Sequence, residues 1–466
     1  MSAHSEDEST AWVPLPDHEA RVQKVRTQFR IRYGTDPDGV WSAPGRLNLL
    51  GEYVDFNGGV CLPTPLPYRT LVAGRLRSDG ILHAESLQMQ GDRCEAPIGE
   101  IAPGTVQGWF SYVAGVAWAM NQDRGADIAL PTGFGADLLI DSTVPVGGGL
   151  SSSAALLSAT VLALLELSCP LRAGSEVGPL PVGGCGPDND DLRRRLAEVC
   201  MLAENRVAGA NTGALDHTAA LRSLPGEAMA VDFRDMSIEP IPVDPSAQGL
   251  EFLVIDTRAP HDLADGQYAR RREACEAVAS AVGVGTLREL LPPRLGFPEL
   301  TAEEARSSRK RLIDDALHRV EEEPRVHSAA EGLGLNWAEV RGWIRHVFTD
   351  MLLVARARAL LLERQPLGEE TWRELGGLFT LSHASMRDDL GASRAELDVA
   401  VATCLSGGAL GARLVGGGFG GAVLALVPAG RSTAVAAMVS ATFNDHGFNA
   451  PAFLPLAPGR PAARDL

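Results

Sequence analysis

Residue types able to do chemistry gather in three glycine-bounded stretches of the chain. The first, GRLNLLGEYVDFNGG at 45–59, sets Arg46, Glu52 and Asp55 among largely apolar neighbours. The second, PVGGGLSSSAALL at 145–157, follows Gly147, Gly148 and Gly149 with Ser151, Ser152 and Ser153 at the start of a strongly helical run. Glycines let a backbone approach a ligand and expose its N–H groups, and a helix start favours negative charge, so this stretch reads as an anion cradle. Its serine hydroxyls can satisfy helix-end donors, bind phosphate oxygens or ligate Mg²⁺. It lacks the Gly-Lys-Ser/Thr of a Walker A loop, and the chain has no HRD or DFG set. The plain alternative is a glycine turn with a serine cap, but three glycines and three serines exceed what a cap needs. The third stretch, GGGFGG at 416–421, formally satisfies GxGxxG through Gly416, Gly418 and Gly421. A dinucleotide fingerprint requires a helix next, whereas AVLALV reads as a strand, so the stretch is expected to be a strand-to-strand turn. Packed against the second stretch, it could support a phosphate site.

The elements that must position these residues alternate in type. Residues 17–34 pattern as an amphipathic helix ending near Gly34, and TLVAGRLR and ILHAESL alternate as strands. ADLLIDSTV at 136–144 is a further strand, feeding the serine-rich turn and the apolar helix Ala154 to Leu167. That helix is too short for a bilayer span and carries Glu166, which predicts burial in a core. The segment 172–190 is dense in Gly and Pro and is expected to be a surface loop. After it, DLRRRLAEVCMLAENRVAG has helical periodicity, 235–249 is a polar, Pro-rich boundary, and LEFLVIDTRAP at 250–260 is a buried strand. The second half patterns as helical up to ARLVGGGFGGAVLALV at 412–427, with no internal repeat or heptad run. Strands and helices alternating in both halves predict a mixed α/β or α+β protein of two lobes. The expected division is a disordered acidic tail at 1–15, a first lobe at 16–240 and a second at 241–466.

Composition narrows the functional classes. At 466 residues with 45% hydrophobic and 22% charged residues, the chain can bury a substantial core. A formal net charge of -17 argues against general binding to nucleic acid or anionic membranes, though not against a small anion held by local groups. MSAHSEDEST is acidic and has no apolar core of a signal peptide, so a soluble cytoplasmic protein is expected, with a monomer the favoured state. The seven cysteines are scattered, and no CxxC pair or zinc spacing occurs. All are expected to be reduced and mostly structural, Cys61 as a small buried residue.

Taken together, the three stretches resemble the motifs of the GHMP small-molecule kinases, and the first resembles the galactokinase signature. AENRVAGANTGALDH (203–217), HDLADGQYARRREACEAV (261–278) and SHASMRDDLGASRAELD (382–398) are similar to galactokinase segments in the same order. The resemblance implies a two-lobed α+β GHMP kinase fold with the active site in the interlobe cleft. It implies transfer of the ATP γ-phosphoryl group to the anomeric 1-hydroxyl of galactose, with ATP as co-substrate and Mg²⁺ as metal. It also implies that Gly147, Gly148, Gly149, Leu150, Ser151, Ser152, Ser153 and Ala154 wrap the ATP phosphates, with Ser152 and Glu204 holding the metal. Asp216 matches the catalytic aspartate and Arg46 the arginine that pairs with it. Glu52, Tyr53, Asp55, Gly213 and Tyr268 would line the sugar, and carboxylates suit hydroxyl groups as strong acceptors. The spacing of Glu52 and Asp55 predicts that both lie on one side of a helical turn. Phosphoryl transfer depends on positioning and charge stabilisation. An arginine facing the γ-phosphoryl oxygens supplies the second, and an ionised aspartate beside it can orient a hydroxyl and accept its proton.

Departures from the family pattern concentrate at the sugar end. The usual Glu-His-Thr-Asp-Tyr-Asn reads here Glu52, Tyr53, Val54, Asp55, Phe56, Asn57, and His217 stands where glutamine is usual. Sites that hydrogen-bond one epimer discriminate through such groups. Three readings follow: a galactokinase, a kinase for another sugar such as an amino sugar, a pentose or a modified hexose, and a catalytically silent ATP and sugar sensor.

Overall fold

The computed structural model describes residues 10–466 except 90, 123–126, 173–188, 211, 261–265, 294, 296–299 and 364–366. Most of the glycine- and proline-rich segment expected as a loop, residues 1–9 of the expected tail, and the HDLAD stretch at 261–265 lie outside the described residues.

The predicted strands and helices form a mixed α/β fold around three sheets. A six-stranded sheet runs in the order Ala463–Arg464, Gly39–Asn48, Pro63–Arg77, Gly135–Ser142, Ile81–Ser86, Arg93–Pro97. Its strands pair antiparallel apart from Ile81–Ser86 with Gly135–Ser142. Period-two alternation divides its faces. Val40, Leu71, Ala73 and Leu139 pack with Val22, Val25 and Phe29 of the helix His18–Tyr33, whereas Trp41, Ala43, Val72, Leu138 and Ile140 pack with the helix Ser152–Leu167. Burial on both sides explains why every residue of Gly39–Asn48 is buried. Glu166, the lone acid in that apolar helix, accepts the indole N–H of Trp41 at 2.9 Å. The first helix is capped as its sequence predicts: Asp17 accepts the Ala20 N–H, and Gly34 ends it in the left-handed region.

A five-stranded sheet has the order Ala11–Trp12, Ala452–Pro455, Leu250–Asp256, Ala422–Pro428, Gly411–Val415. Gly411–Val415 and Ala422–Pro428 form the antiparallel hairpin expected around GGGFGG, with Val415 opposite Ala422. The third sheet joins Val60–Cys61, Ala228–Asp232 and Ser237–Ile241. The expected tail at 1–15 needs correction at its C-terminal end. Ala11 and Trp12 form a strand parallel to Ala452 and Phe453, because the Trp12 ring finds an apolar partner in Phe453 at 5.6 Å. Both ends of the chain therefore cross residue 240, since Ala463–Arg464 in turn pairs with Trp41 and Ser42 of the first-half sheet.

Beyond 300 the chain is helical as predicted, through Ala302–Glu321, Arg325–Gly332, Trp337–Leu361, Glu369–Asp388 and Ala395–Ser406. The helix Trp337–Leu361 is buried along much of its length and runs behind the Glu52 loop. The six cysteines described are free, four of them buried; Cys185 lies outside the described residues.

Candidate active site

The pairing of Gly39–Asn48 with Pro63–Arg77 slips between Pro44 and Arg46. Such an irregularity re-aims a side chain: the Arg46 N–H turns to the Leu150 carbonyl at 3.1 Å, and its guanidinium reaches the Gly149 carbonyl at 2.6 Å and Asp216 Oδ1 at 2.8 Å. Asp216 sits at the start of the helix Leu215–Arg222, and its second oxygen accepts the Ser151 hydroxyl at 2.5 Å. Residues 46, 149, 151 and 216 thus converge from three places in the chain. Burial opposes charge on Arg46, but Asp216 and then Glu52 hold its pKa above the usual arginine value.

Ser151 adopts φ 60 and makes no side-chain cap, so the helix Ser152–Leu167 begins with its hydroxyl directed to Asp216 instead. The two glycine loops are packed back to back. A Cβ on Gly416 would stand 3.1 Å from the Gly149 carbonyl, which explains the paired glycines where the loops touch.

A cavity of about 560 Å³ opens beside this pair. Its lining includes Arg46, Glu52, Tyr53, Asp55, Gly213, Asp216 and Tyr268, so the structure gathers the expected sugar-side and catalytic residues. Gly147 to Ala154 lie outside that lining and join it through Ser151 and Asp216. The expectation of a shared helical turn for Glu52 and Asp55 is not met. Asp55 opens a short 3-10 turn, Asp55–Asn57, but Glu52 precedes it in an irregular loop where Tyr53 is left-handed at φ 61. Tertiary contacts, not helical periodicity, bring both to the cavity. Asp55 Oδ1 accepts the Tyr268 hydroxyl at 3.3 Å. A Cβ on Gly213 would fall 1.7 Å from Asp55 Oδ2, so any larger residue there would displace the Asp55 carboxylate. Burial, reinforced by the charge of Asp216, raises the Asp55 carboxyl above its usual pKa. Tyr53, only 3% exposed, donates its hydroxyl to the Gly417 carbonyl at 2.5 Å, and its ring meets Tyr268 at 4.9 Å and Phe56 at 6.4 Å. The Tyr53 end of the cavity therefore has an aromatic wall.

Glu204 begins a π-helical turn, Glu204–Ala208, that continues the helix Asp190–Ala203. It is buried, not solvent-facing. Its carboxylate accepts the Thr212 hydroxyl at 2.8 Å and that of Ser153, the neighbour of the predicted Ser152. His217 Nε2 lies 2.9 Å away, off the line of a straight hydrogen bond. Burial opposes ionisation of Glu204, yet His217, Ser153 and Thr212 hold its pKa below the usual glutamate value.

Three further residues support the site and carry weak sequence signals. Asp350, a lone acid in the apolar run VFTDMLLV, accepts the N–H groups of Gly51 and Glu52 at 3.0 and 2.8 Å and the Ser382 hydroxyl at 2.6 Å. His346, one turn earlier, meets the Glu52 carbonyl at 3.2 Å through Nε2. Arg413, fully buried just before the third glycine stretch, lies 3.5 Å from Glu52 Oε1 and donates to the Leu49 carbonyl. Glu52 Oε1 also accepts the Gly416 N–H at 2.8 Å, which ties the Glu52 loop to the glycine hairpin.

This frame is that of the GHMP kinases. Models of the GHMP kinase N-terminal and C-terminal domains match residues 111–223 and 359–445. In fold the chain matches a crystal structure of *Lactococcus lactis* galactokinase complexed with galactose, with TM-score 0.73 at 23% identity over 95% of this chain and 99% of that one. A mevalonate kinase crystal structure matches at TM-score 0.50. Within that class the chain belongs to the galactokinase family. It is 36% identical to a galactokinase of *Streptomyces coelicolor* over 96% of this chain and 99% of the relative, and 32% identical to one of *Canis lupus familiaris* over 88% of each. The galactokinase galactose-binding signature matches residues 27–76. ATP is the co-substrate of such a kinase, and no helix among the described residues is long and apolar enough to cross a membrane.

Proposed function

We propose that this protein transfers the γ-phosphoryl group of ATP to the anomeric 1-hydroxyl of galactose. The observation that carries the reading is the meeting of Arg46 and Asp216 at 2.8 Å, between the serine-rich turn and a cavity lined by Asp55 and Tyr268. Asp216 orients the sugar hydroxyl and takes its proton as the O–P bond forms; Arg46 stabilises charge on the transferring group. Asp55 accepts hydrogen bonds from sugar hydroxyls, and the backbone N–H groups at the start of Ser152–Leu167 face the phosphates. The oxygen donors of Ser152, Ser153 and Glu204 fit Mg²⁺, which binds few protein oxygens and keeps water and phosphate as its other ligands. Bound there, the metal would neutralise charge on the β- and γ-phosphates. In this reading the division near residue 240 separates a lobe carrying phosphate loop and sugar motif from a helical lobe carrying GGGFGG.

The aromatic wall favours a second reading, the same reaction on a different sugar, because Tyr53 spends its hydroxyl proton on Gly417 and presents a ring where the family has an imidazole. Initial rates of ADP release over galactose, galactosamine, arabinose and other hexoses decide between them. The leading reading requires the highest kcat/KM on galactose. Transfer only to another sugar selects the second, and no transfer to any sugar overturns both in favour of a sensor.

A further inference from the structure

Beside the helix face that holds the Glu52 loop, the helices Ala302–Glu321, Trp337–Leu361 and Glu369–Asp388 border an open cleft of about 330 Å³. It brings together Arg306, Arg309, Lys310 and Arg345, with Ser385 and Asp389 on the same lining. Arg306 and Arg309 also border an adjoining cavity of about 520 Å³. Among the described residues, Arg306, Arg309 and Lys310 have no carboxylate within ion-pair distance. Burial and then the charge of Arg306 lower the pKa of Arg309, and Glu374 opposes them. Three carboxylates share this lining. Asp388 is held by Arg387 at 2.7 Å, Asp389 accepts the Ser385 hydroxyl at 2.9 Å and lies 3.8 Å from Arg345, and Asp314 completes the acidic part of the lining. In a chain of net charge -17, four cations gathered along one open cleft point to a small anion, and a cleft of about 330 Å³ is large enough for a metabolite.

The cavity is wired to the sugar loop. Ser385 Oγ lies 2.9 Å from Asp389 Oδ2 and 3.1 Å from His346 Nδ1, while His346 Nε2 meets the Glu52 carbonyl at 3.2 Å. A neutral His346 that donates from Nε2 to Glu52 can only accept at Nδ1. The single hydroxyl proton of Ser385 is then contested between His346 and Asp389. An anion that draws Arg345 from Asp389 makes that carboxylate the stronger competitor and leaves His346 less firmly held against Glu52 and the Tyr53 ring, 6.2 Å from its own.

We propose that this cavity binds a small phosphate-bearing metabolite through Arg306, Arg309, Lys310 and Arg345, and that its occupancy loosens the sugar loop through Ser385 and His346. The coupling rests on the reading that the Glu52 loop holds the sugar; the binding does not.

Calorimetric titration of the full chain with inorganic phosphate at matched ionic strength, with sugar kinetics at saturating ATP, tests both parts. Saturable binding is expected, with the sugar KM rising to a plateau by about 5-fold or more and little change in kcat. The paired change Arg306→Glu and Arg309→Glu should remove the heat and the KM response and leave basal kinetics intact; Ser385→Ala should keep the heat and lose the response. If the paired variant does not fold, Lys310→Gln should weaken phosphate binding in its place. Galactose 1-phosphate and ADP, titrated separately, distinguish product from nucleotide as the source of the phosphate. No heat at matched ionic strength, or a phosphate effect unchanged in the arginine variants, overturns the proposal. Loss of turnover on every sugar would overturn the functional reading and leave the calorimetry as the test of the cavity.

Discussion

In the segment Gly147 to Ala154 the Gly149 carbonyl and the Ser151 hydroxyl find Arg46 and Asp216 of the first half of the chain, whereas the loop from Glu52 to Asp55 is held by groups of the second half. The Gly51 N–H reaches Asp350 across 299 positions, and the Glu52 carboxylate reaches the Gly416 N–H across 364. Both segments therefore depend on tertiary partners, but those of the Glu52 loop come from the helix and hairpin packed behind it. Tyr53 shows that dependence: its phenol donates to the Gly417 carbonyl and its ring lies against Tyr268.

The comparison can be broken by variants at each end. Removing the carboxylate where the ends meet has the largest expected effect: Asp216→Ala should lower kcat by about 10²–10⁴-fold with nucleotide affinity nearly unchanged, read by steady-state rates and nucleotide titration. Retained turnover would remove Asp216 from the reaction. Next, Asp350→Ala strands two buried backbone donors and the Ser382 hydroxyl. It should cost about 2–4 kcal/mol of stability in urea unfolding and raise the sugar KM while sparing ATP binding; a loss of nucleotide affinity would show that the two ends are not separable. Tyr53→His should shift relative kcat/KM among sugars by about 10-fold or more, with an unchanged preference meaning that the aromatic wall does not select the sugar. The smallest effect concerns His383, which supports the strand leading to GGGFGG through the Leu414 N–H. Burial lowers its pKa to about 4, although Asp398 opposes the shift. The unfolded chain therefore binds this proton first. Stability from His383 is present above about pH 6.5 and falls away toward about pH 4. His383→Gln should flatten that part of a stability–pH profile, and an unaltered profile would assign the acid sensitivity elsewhere.

Much of the frame could be read before any tertiary contact was known. Asp17 and Gly34 bound the first helix as capping chemistry requires, and the alternation in TLVAGRLR and ADLLIDSTV predicts the strands that pair Val72 with Ile140. Local composition misled at two points. The spacing of Glu52 and Asp55 suggested a helical turn, but Tyr53 is held in the left-handed region by the contacts of its ring and hydroxyl. The polar tail conceals Trp12, whose strand pairs with Ala452 and Phe453 and whose ring lies beside that of Phe453. Asp350 and Arg413 looked like isolated charges in apolar runs, and their partners, the Gly51 and Glu52 N–H groups and the Glu52 carboxylate, lie hundreds of residues away.

By itself the sequence determined the segments whose form is set within a few residues: the glycine turns, the capped helices and the alternating strands. These follow from backbone freedom, capping and side-chain periodicity, which are local properties. Only the tertiary structure decided that Arg46 meets Asp216, that Ser153 is the serine hydrogen-bonded to Glu204, and that Tyr53 closes against Gly417. Such pairings depend on which buried charges and donors must find partners once the core excludes water, and the chain order does not encode that directly.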